Sequence, residues 1–172
     1  MGYAGGLSTK PNYENLGDHT ETVQIDYDPQ RISYEELLTV FWKSHRPTQR
    51  AWRRQYMNAV FFHDDLQRQL AIASKAALEK ETGSRIHTQV LPLRSFTRAE
   101  DYHQKYLLNR HSGLVRELRR IYPKMEDYVD STAVARINGY VGGYGSKAQL
   151  MSELNSLGLT PGSEKILIQL VR

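Results

Sequence analysis

The 172-residue sequence contains no cysteine. That excludes disulfides, thiolate metal sites and any thiol chemistry carried by these residues alone. Long apolar runs are also missing: no stretch approaches the roughly 18 residues that a membrane-spanning helix needs. No charged, apolar, small-residue leader opens the chain. There is no RNA-binding aromatic motif, no metal-ligand spacing and no internal repeat long enough to signal a solenoid.

What is present is an ordinary globular balance, 40% hydrophobic and 24% charged. A chain of this length supports one domain with a core and has room for a small appendage. The net charge is +4. The positive charge gathers at Arg46, Arg50, Arg53 and Arg54, and again at Arg110, Arg116, Arg119 and Arg120. Such clusters attract phosphate backbones or acidic peptides, although charge runs are most often a solvated face. With no nucleic-acid motif beside them, nucleic acid is not the expected partner.

Turn formers (Gly2, Gly5, Gly6, Pro11, Asn12, Gly17, Asp18) predict a loop over 2–20. Val23, Ile25 and Tyr27 alternate, which predicts a half-buried strand over 21–27. Ser33 with Glu36 forms a capping box, and Leu37, Leu38, Phe41 and Trp42 follow at helical spacing. That helix stops near His45, because Pro47 disfavours helix before it. Strands are predicted over 55–62 and 86–93, a long helix over 64–82 with Leu66, Leu70, Ala73, Ala77 and Leu78 as its apolar face, and a helix over 97–108 opened by Thr97. This alternation predicts an α/β or α+β sandwich, a mixed sheet flanked by helices. From Gly113 the composition changes and reads as mainly helical: Leu114, Leu118 and Ile121, then a helix capped by Asp130 or Ser131, one opened by Ser146, and one opened by Thr160-Pro161. Ile166-Leu167-Ile168 also fits a strand.

Three segments have the residue types for chemistry. Residues 11–21 bring Tyr13, His19 and Glu21 onto a loop feeding a strand. A carboxyl there can act as an acid if partly desolvated, and a tyrosine hydroxyl can donate to a developing oxyanion. On residue types alone, a surface loop with a capping histidine explains the same segment. Tyr56 opens the 55–62 segment, where spacing alone makes it a half-buried strand tyrosine. Glu100 and His103 share a helix face at i, i+3, as a metal pair does, but the further ligands a metal needs are not nearby.

Several segments, taken in order, resemble the peptide methionine (S)-sulfoxide reductase family, the A type. They are Gly2-Tyr3-Ala4-Gly5-Gly6, Pro11-Asn12-Tyr13-Glu14, Gly17-Asp18-His19-Thr20-Glu21 running into Tyr27-Asp28-Pro29, Ile32-Ser33-Tyr34, and Ala99-Glu100-Asp101-Tyr102-His103-Gln104-Lys105-Tyr106. His45-Arg46-Pro47-Thr48, Gln55-Tyr56 and Ile86-His87-Thr88 fall between them, so the resemblance covers about residues 2–108. It implies an oxidoreductase of protein repair under oxidative stress, acting on methionine S-sulfoxide in proteins or free. In the family a cysteine thiolate attacks the sulfoxide sulfur, and a glutamate and two tyrosines serve the oxygen. The cysteine becomes a sulfenic acid, which other thiols and thioredoxin, or dithiothreitol, reduce. By motif position the glutamate is Glu21 and the tyrosines are Tyr13 and Tyr56. The resemblance implies no other cofactor, no metal and no membrane partner.

The departures are as informative. The family's nucleophile lies in a Gly-Cys-Phe-Trp-Gly segment ahead of the Gly-Tyr-Ala-Gly-Gly motif, and the sequence begins after that point. Arg46 replaces an aspartate, and Gln49-Arg50-Ala51-Trp52-Arg53-Arg54 replaces a longer glycine-rich segment. The expectation is therefore an N-terminally incomplete reductase domain over 1–113 with a helical extension over 114–172, inactive alone. It is expected in the cytoplasm, or in mitochondria if a segment precedes Met1. The rival reading is a non-catalytic peptide-binding protein that keeps the half-site.

Overall fold

The computed structural model describes residues 1–171. Its strands are β1 (Gly2–Ala4), β2 (Thr20–Thr22), β3 (Ala59–Phe62), β4 (Gln89–Pro92) and β5 (Phe96–Arg98). The expected mixed α/β architecture is present, with antiparallel and parallel pairing divided between two small sheets. One runs β2-β1-β5, antiparallel throughout, and β3 pairs with β4 in parallel.

The glycine-rich opening is therefore not a loop throughout. Gly2–Ala4 is the central strand of its sheet, and Gly2 serves close packing. A Cβ on Gly2 would stand 2.4 Å from both the Phe96 ring and the Thr97 carbonyl oxygen. Tyr3 pairs with Glu21 on one side and Thr97 on the other. That second partner corrects the reading of 97–108 as a helix: Thr97 lies in β5, and short 3-10 turns follow at Asp101–His103 and Leu108–Arg110. The edge of β1 takes residues 96–98 before a helix can start.

Helix α1 (Tyr34–Lys43) opens at Ser33 with the expected capping box, and Ser44 caps its end. Helix α2 (Asp65–Thr82) is capped by Asp64 and ends at Gly83 in the left-handed conformation (φ 62°). Its packed face differs from the one predicted. Ala71 is fully buried and Leu70 packs beside it, whereas Leu66 is exposed. The Trp42 indole N–H donates to Ser74 Oγ at 3.0 Å and fixes how α1 meets α2. Leu38, Val60 and Ala71 form the core between these helices and β3, with Phe41 and Val90 against it.

All three expected strands are shorter than predicted, with 86–93 reduced to Gln89–Pro92. Residues 54–56 form a 3-10 turn before β3, and β2 ends at Thr22. Among the described residues no strand pairs with Val23 or Ile25, and both are exposed, against the predicted half-burial.

The chain divides into two compact units, Met1–Glu100 and the residues from Asp101 onward. The second unit is helical: α3 (Ser112–Ile121), α4 (Met125–Asp130), α5 (Thr132–Val141), α6 (Lys147–Glu153) and α7 (Pro161–Leu170). Ser131, Ser146 and Thr160-Pro161 open helices as predicted, and 166–168 is helical, not a strand. Leu114, Leu118, Val134, Ile137, Leu150 and Leu167 form its core. Glu117 accepts from the Thr160 backbone N–H and from the Thr160 and Ser163 hydroxyls, tying the start of α7 to α3. Among the described residues no helix is long and apolar enough to cross a membrane.

Candidate functional site

Glu21 stands in the middle of β2, half-buried, directly opposite Tyr3 in register. Opposed residues on antiparallel strands share a sheet face, so Tyr3 and Glu21 project to the same side. The Glu21 carboxylate accepts a hydrogen bond from Gln55 Nε2 at 2.9 Å. The same residue's carbonyl accepts from Thr20 Oγ1 at 2.8 Å. Gln55 thus clamps β2 twice and brings the 54–56 turn, with Tyr56 in it, beside the strand.

Glu21 also lines a cavity of about 570 Å³. Its walls are mostly apolar and include Val23, Ile25, Leu37, Phe41, Val60 and Phe96. Its carboxyl is thus held by an amide while the residue belongs to the lining of a mostly apolar cavity.

Tyr13 and Tyr56 are not among the residues lining that cavity. Both are about half exposed, Tyr13 at 51% and Tyr56 at 46%, so both hydroxyls can reach a ligand arriving from solvent. Tyr56 lies 5.4 Å from the Trp52 ring, centroid to centroid. Tyr13 is positioned through Glu100: its backbone N–H donates to Glu100 Oε1 at 3.0 Å, while Tyr3 donates its hydroxyl to Oε2 at 2.7 Å. Tyr3 is 1% exposed, so this is a buried anchor between β1 and the 12–15 turn. Glu100, weighed as one of a metal pair, instead braces the loop that carries Tyr13. Among the described residues no group of three or more metal-ligating side chains comes together.

The glycine loop ahead of the site is held by one carboxylate and one guanidinium. Asp18 accepts from the backbone N–H of Leu7 (2.8 Å) and Ser8 (3.0 Å) and from Ser8 Oγ (2.8 Å). Those bonds, the Ser8 amide first, hold its carboxyl far below the usual carboxylate range. Arg54 donates from Nε to the Asp18 carbonyl at 2.6 Å and from Nη2 to the Gly5 carbonyl at 2.9 Å. His19, 2% exposed, bonds through Nε2 to the Ser8 carbonyl at 2.8 Å. Its part in the 11–21 segment is therefore to cap the loop.

Sequence reasoning did not single out Gln55, Glu100 and Arg54 for these duties. Gln55 was visible as the neighbour of Tyr56. Nothing local marks Arg54, whose partners are 36 and 49 residues away.

With this geometry in place, the relatives fall into line. Residues 1–146 match the family described as peptide methionine sulfoxide reductase, well past the residue-108 limit of the sequence resemblance. The chain belongs to that family. A peptide methionine sulfoxide reductase of Drosophila melanogaster is 40% identical over 163 residues, covering 94% of this chain and 65% of the fly protein. Peptide methionine sulfoxide reductase A5 of Arabidopsis thaliana is 40% identical over 146 residues, covering 81% of this chain and 56% of its own length. The chain thus spans somewhat less than two thirds of these relatives. Among solved structures, reduced Mxr1 from Saccharomyces cerevisiae is similar with a TM-score of 0.58 and 29% identity, over 64% of this chain and 69% of the yeast one.

Proposed function

We propose that the chain carries the oxygen-side half of a peptide-methionine (S)-S-oxide reductase site, with Glu21 as the acid and Tyr13 and Tyr56 as hydroxyl donors. Its substrate is methionine S-sulfoxide, in proteins or free. The observation that carries the reading is Glu21 itself: a carboxyl on a strand, steadied by the Gln55 amide, among the residues lining a mostly apolar cavity. The methyl and thioether carbons of the substrate match the cavity wall and the sulfoxide oxygen matches the Glu21 carboxyl, while Tyr13 and Tyr56, outside the cavity lining, would donate from the solvent side. A polar oxygen entering such a place needs donors, and the three side chains are what the segment offers.

Reduction needs more than these groups. Removing the oxygen takes two electrons, and no side chain in these 172 residues supplies them. A thiol donates them: one sulfur accepts the oxygen as a sulfenic acid while methionine leaves, and a second thiol converts that acid to a disulfide and water. That thiol comes from outside the residues described. Thioredoxin, or dithiothreitol in vitro, as final reductant and a cytoplasmic setting belong to the same reading. The absence of cysteine weighs against free-standing turnover by this chain.

The test is stereoselective binding. Methionine S-sulfoxide in a short peptide is titrated into the protein beside the R epimer, with dithiothreitol turnover followed in parallel. The S epimer should bind saturably, and Glu21→Gln or Tyr56→Phe should weaken it about tenfold, the worth of roughly 1.4 kcal/mol. Turnover should not exceed that of dithiothreitol alone. Equal binding of both epimers, or indifference to Glu21→Gln, would refute the assignment.

A further inference from the structure

A second cavity in the same unit, of about 710 Å³, is bounded by the 49–54 loop, helix α2 and residues 85–89. Five permanent cations line it, Arg50, Arg53, Arg54, Lys75 and Arg85, against one carboxylate, Glu79. Glu79 is already engaged, accepting the Ile86 backbone N–H at 2.9 Å. Lys75 donates to the Thr88 carbonyl at 2.8 Å, and Arg54 to the carbonyls of Asp18 and Gly5. Those bonds fix two of the cations in place but leave their charge uncompensated, since a carbonyl carries no net charge. Arg53 lies over the Trp52 ring, 4.6 Å from its centre. Arg50 and Arg85 are exposed, and neither forms an ion pair among the described residues. The field is felt by His87 in the same wall. Partial burial, then the charges of Arg50, Arg85 and Lys75, keep its imidazole below the usual histidine range.

This concentration of unpaired charge has a position as well as a sign. Arg53 and Arg54 directly precede Gln55, whose amide holds Glu21, and Tyr56 follows. Arg54 is one Cα step of about 3.8 Å from Gln55, the clamp on the acid, and Arg53 is two. An extended peptide advances about 3.3 Å per residue, so its neighbouring side chains fall within this scale.

We infer that the cavity is a subsite for acidic side chains, so that the favoured substrate is an oxidised methionine with aspartate or glutamate a few residues away. The substrate assignment rests on the Glu21 reading above; the affinity of the cavity for acidic peptide does not. The shape favours peptide over nucleic acid. The cations surround a concavity instead of forming a stripe along which a phosphate backbone could track. No glycine is among its lining residues, and α2 contributes mid-helix residues and not its N-terminus. The neutral amides of Gln49, Asn58 and Gln89 in the wall suit a peptide backbone.

Calorimetric titration tests this with the intact chain and four probes. These are a glutamate-rich peptide containing methionine S-sulfoxide, the same peptide with norleucine at that position, a lysine-rich sulfoxide peptide, and a ten-residue oligothymidylate. The acidic sulfoxide peptide should bind at least tenfold more tightly than the lysine-rich one. Arg50→Glu and Arg85→Glu should each weaken it about three- to tenfold, as should added salt. Both positions are exposed, and a circular dichroism spectrum matching the parent shows that the fold survives. Norleucine peptide should retain a weaker affinity that still depends on Arg50 and Arg85. If norleucine and sulfoxide peptides bind alike, the acidic subsite stands and the Glu21 assignment fails. If acidic and basic peptides bind alike, if the charge reversals change nothing, or if the oligonucleotide binds more tightly than any peptide, the inference is wrong.

Discussion

At the scale of single residues, Asp18 shows how much one side chain can organise. Its carboxylate is ionised in the fold well below the ordinary value of 3.8, because three donors from Leu7 and Ser8 favour the charged form. A folded-state value below the unfolded one means that the stabilisation is complete above about pH 4 and is lost as pH falls further toward the folded value. A series of melting temperatures between pH 2 and 7 should therefore fall less steeply below pH 4 in Asp18→Asn than in the parent. The variant should also melt lower at pH 7, and parallel acid limbs would contradict the assignment. The sequence marks Asp18 only as a turn former. Its role depends on Ser8, ten positions earlier, and no local pattern announces that pairing. Glu21, Tyr13 and Tyr56 could be proposed from the sequence because each sits in a motif. Gln55, which restrains Glu21, was not, because an amide in such a motif has no distinctive spacing.

At the scale of elements, local rules succeeded where the chain is its own partner. The capping box of α1, the Asp64 and Gly83 ends of α2 and the Ser131 and Ser146 caps all involve atoms within a few residues. Replacing Ser33 with alanine should cost about 1 kcal/mol in urea denaturation, the usual worth of an N-cap. Prediction failed where a distant partner decides. Gly2–Ala4 reads as a turn-rich loop until β2 and β5 pair with it. Residues 97–108 read as a helix until β1 claims Thr97. The alternation of 23–27 reads as a strand, yet among the described residues nothing pairs with it. The glycines of the opening segment follow the same logic. Gly5 has φ 81°, and a Cβ there would lie 2.7 Å from the Phe61 ring. Gly5→Ala should therefore destabilise by roughly 1–3 kcal/mol through strain and crowding together, measured by urea denaturation. A neutral result would mean that the loop and Phe61 can move apart freely.

At the scale of the whole molecule, family membership was legible from the order of the motifs, and the match over residues 1–146 extends it into the helical unit. The helices of that unit were largely readable from caps and apolar spacing; what they do was not, since their residues carry no motif with a chemistry. Their core is nonetheless well defined. Leu118 is completely buried among Leu114, Tyr128 and Val134. Leu118→Ala should cost about 2–5 kcal/mol and strip hydrogen-exchange protection from the amides of α3, α5 and α7. Retained protection there would show that the cluster repacks around the loss.

The two tryptophans of the sequence stand in unlike surroundings. Trp42 is partly covered and tied to Ser74, while Trp52 is 73% exposed beneath the guanidinium of Arg53, a residue that lines the cationic cavity. Their emission should therefore separate into a blue component from the first and a red, acrylamide-quenchable component from the second. A single spectrum would then report loss of the α1–α2 packing and arrival of a ligand at that cavity as distinct colours, and Trp42→Phe would leave only the latter.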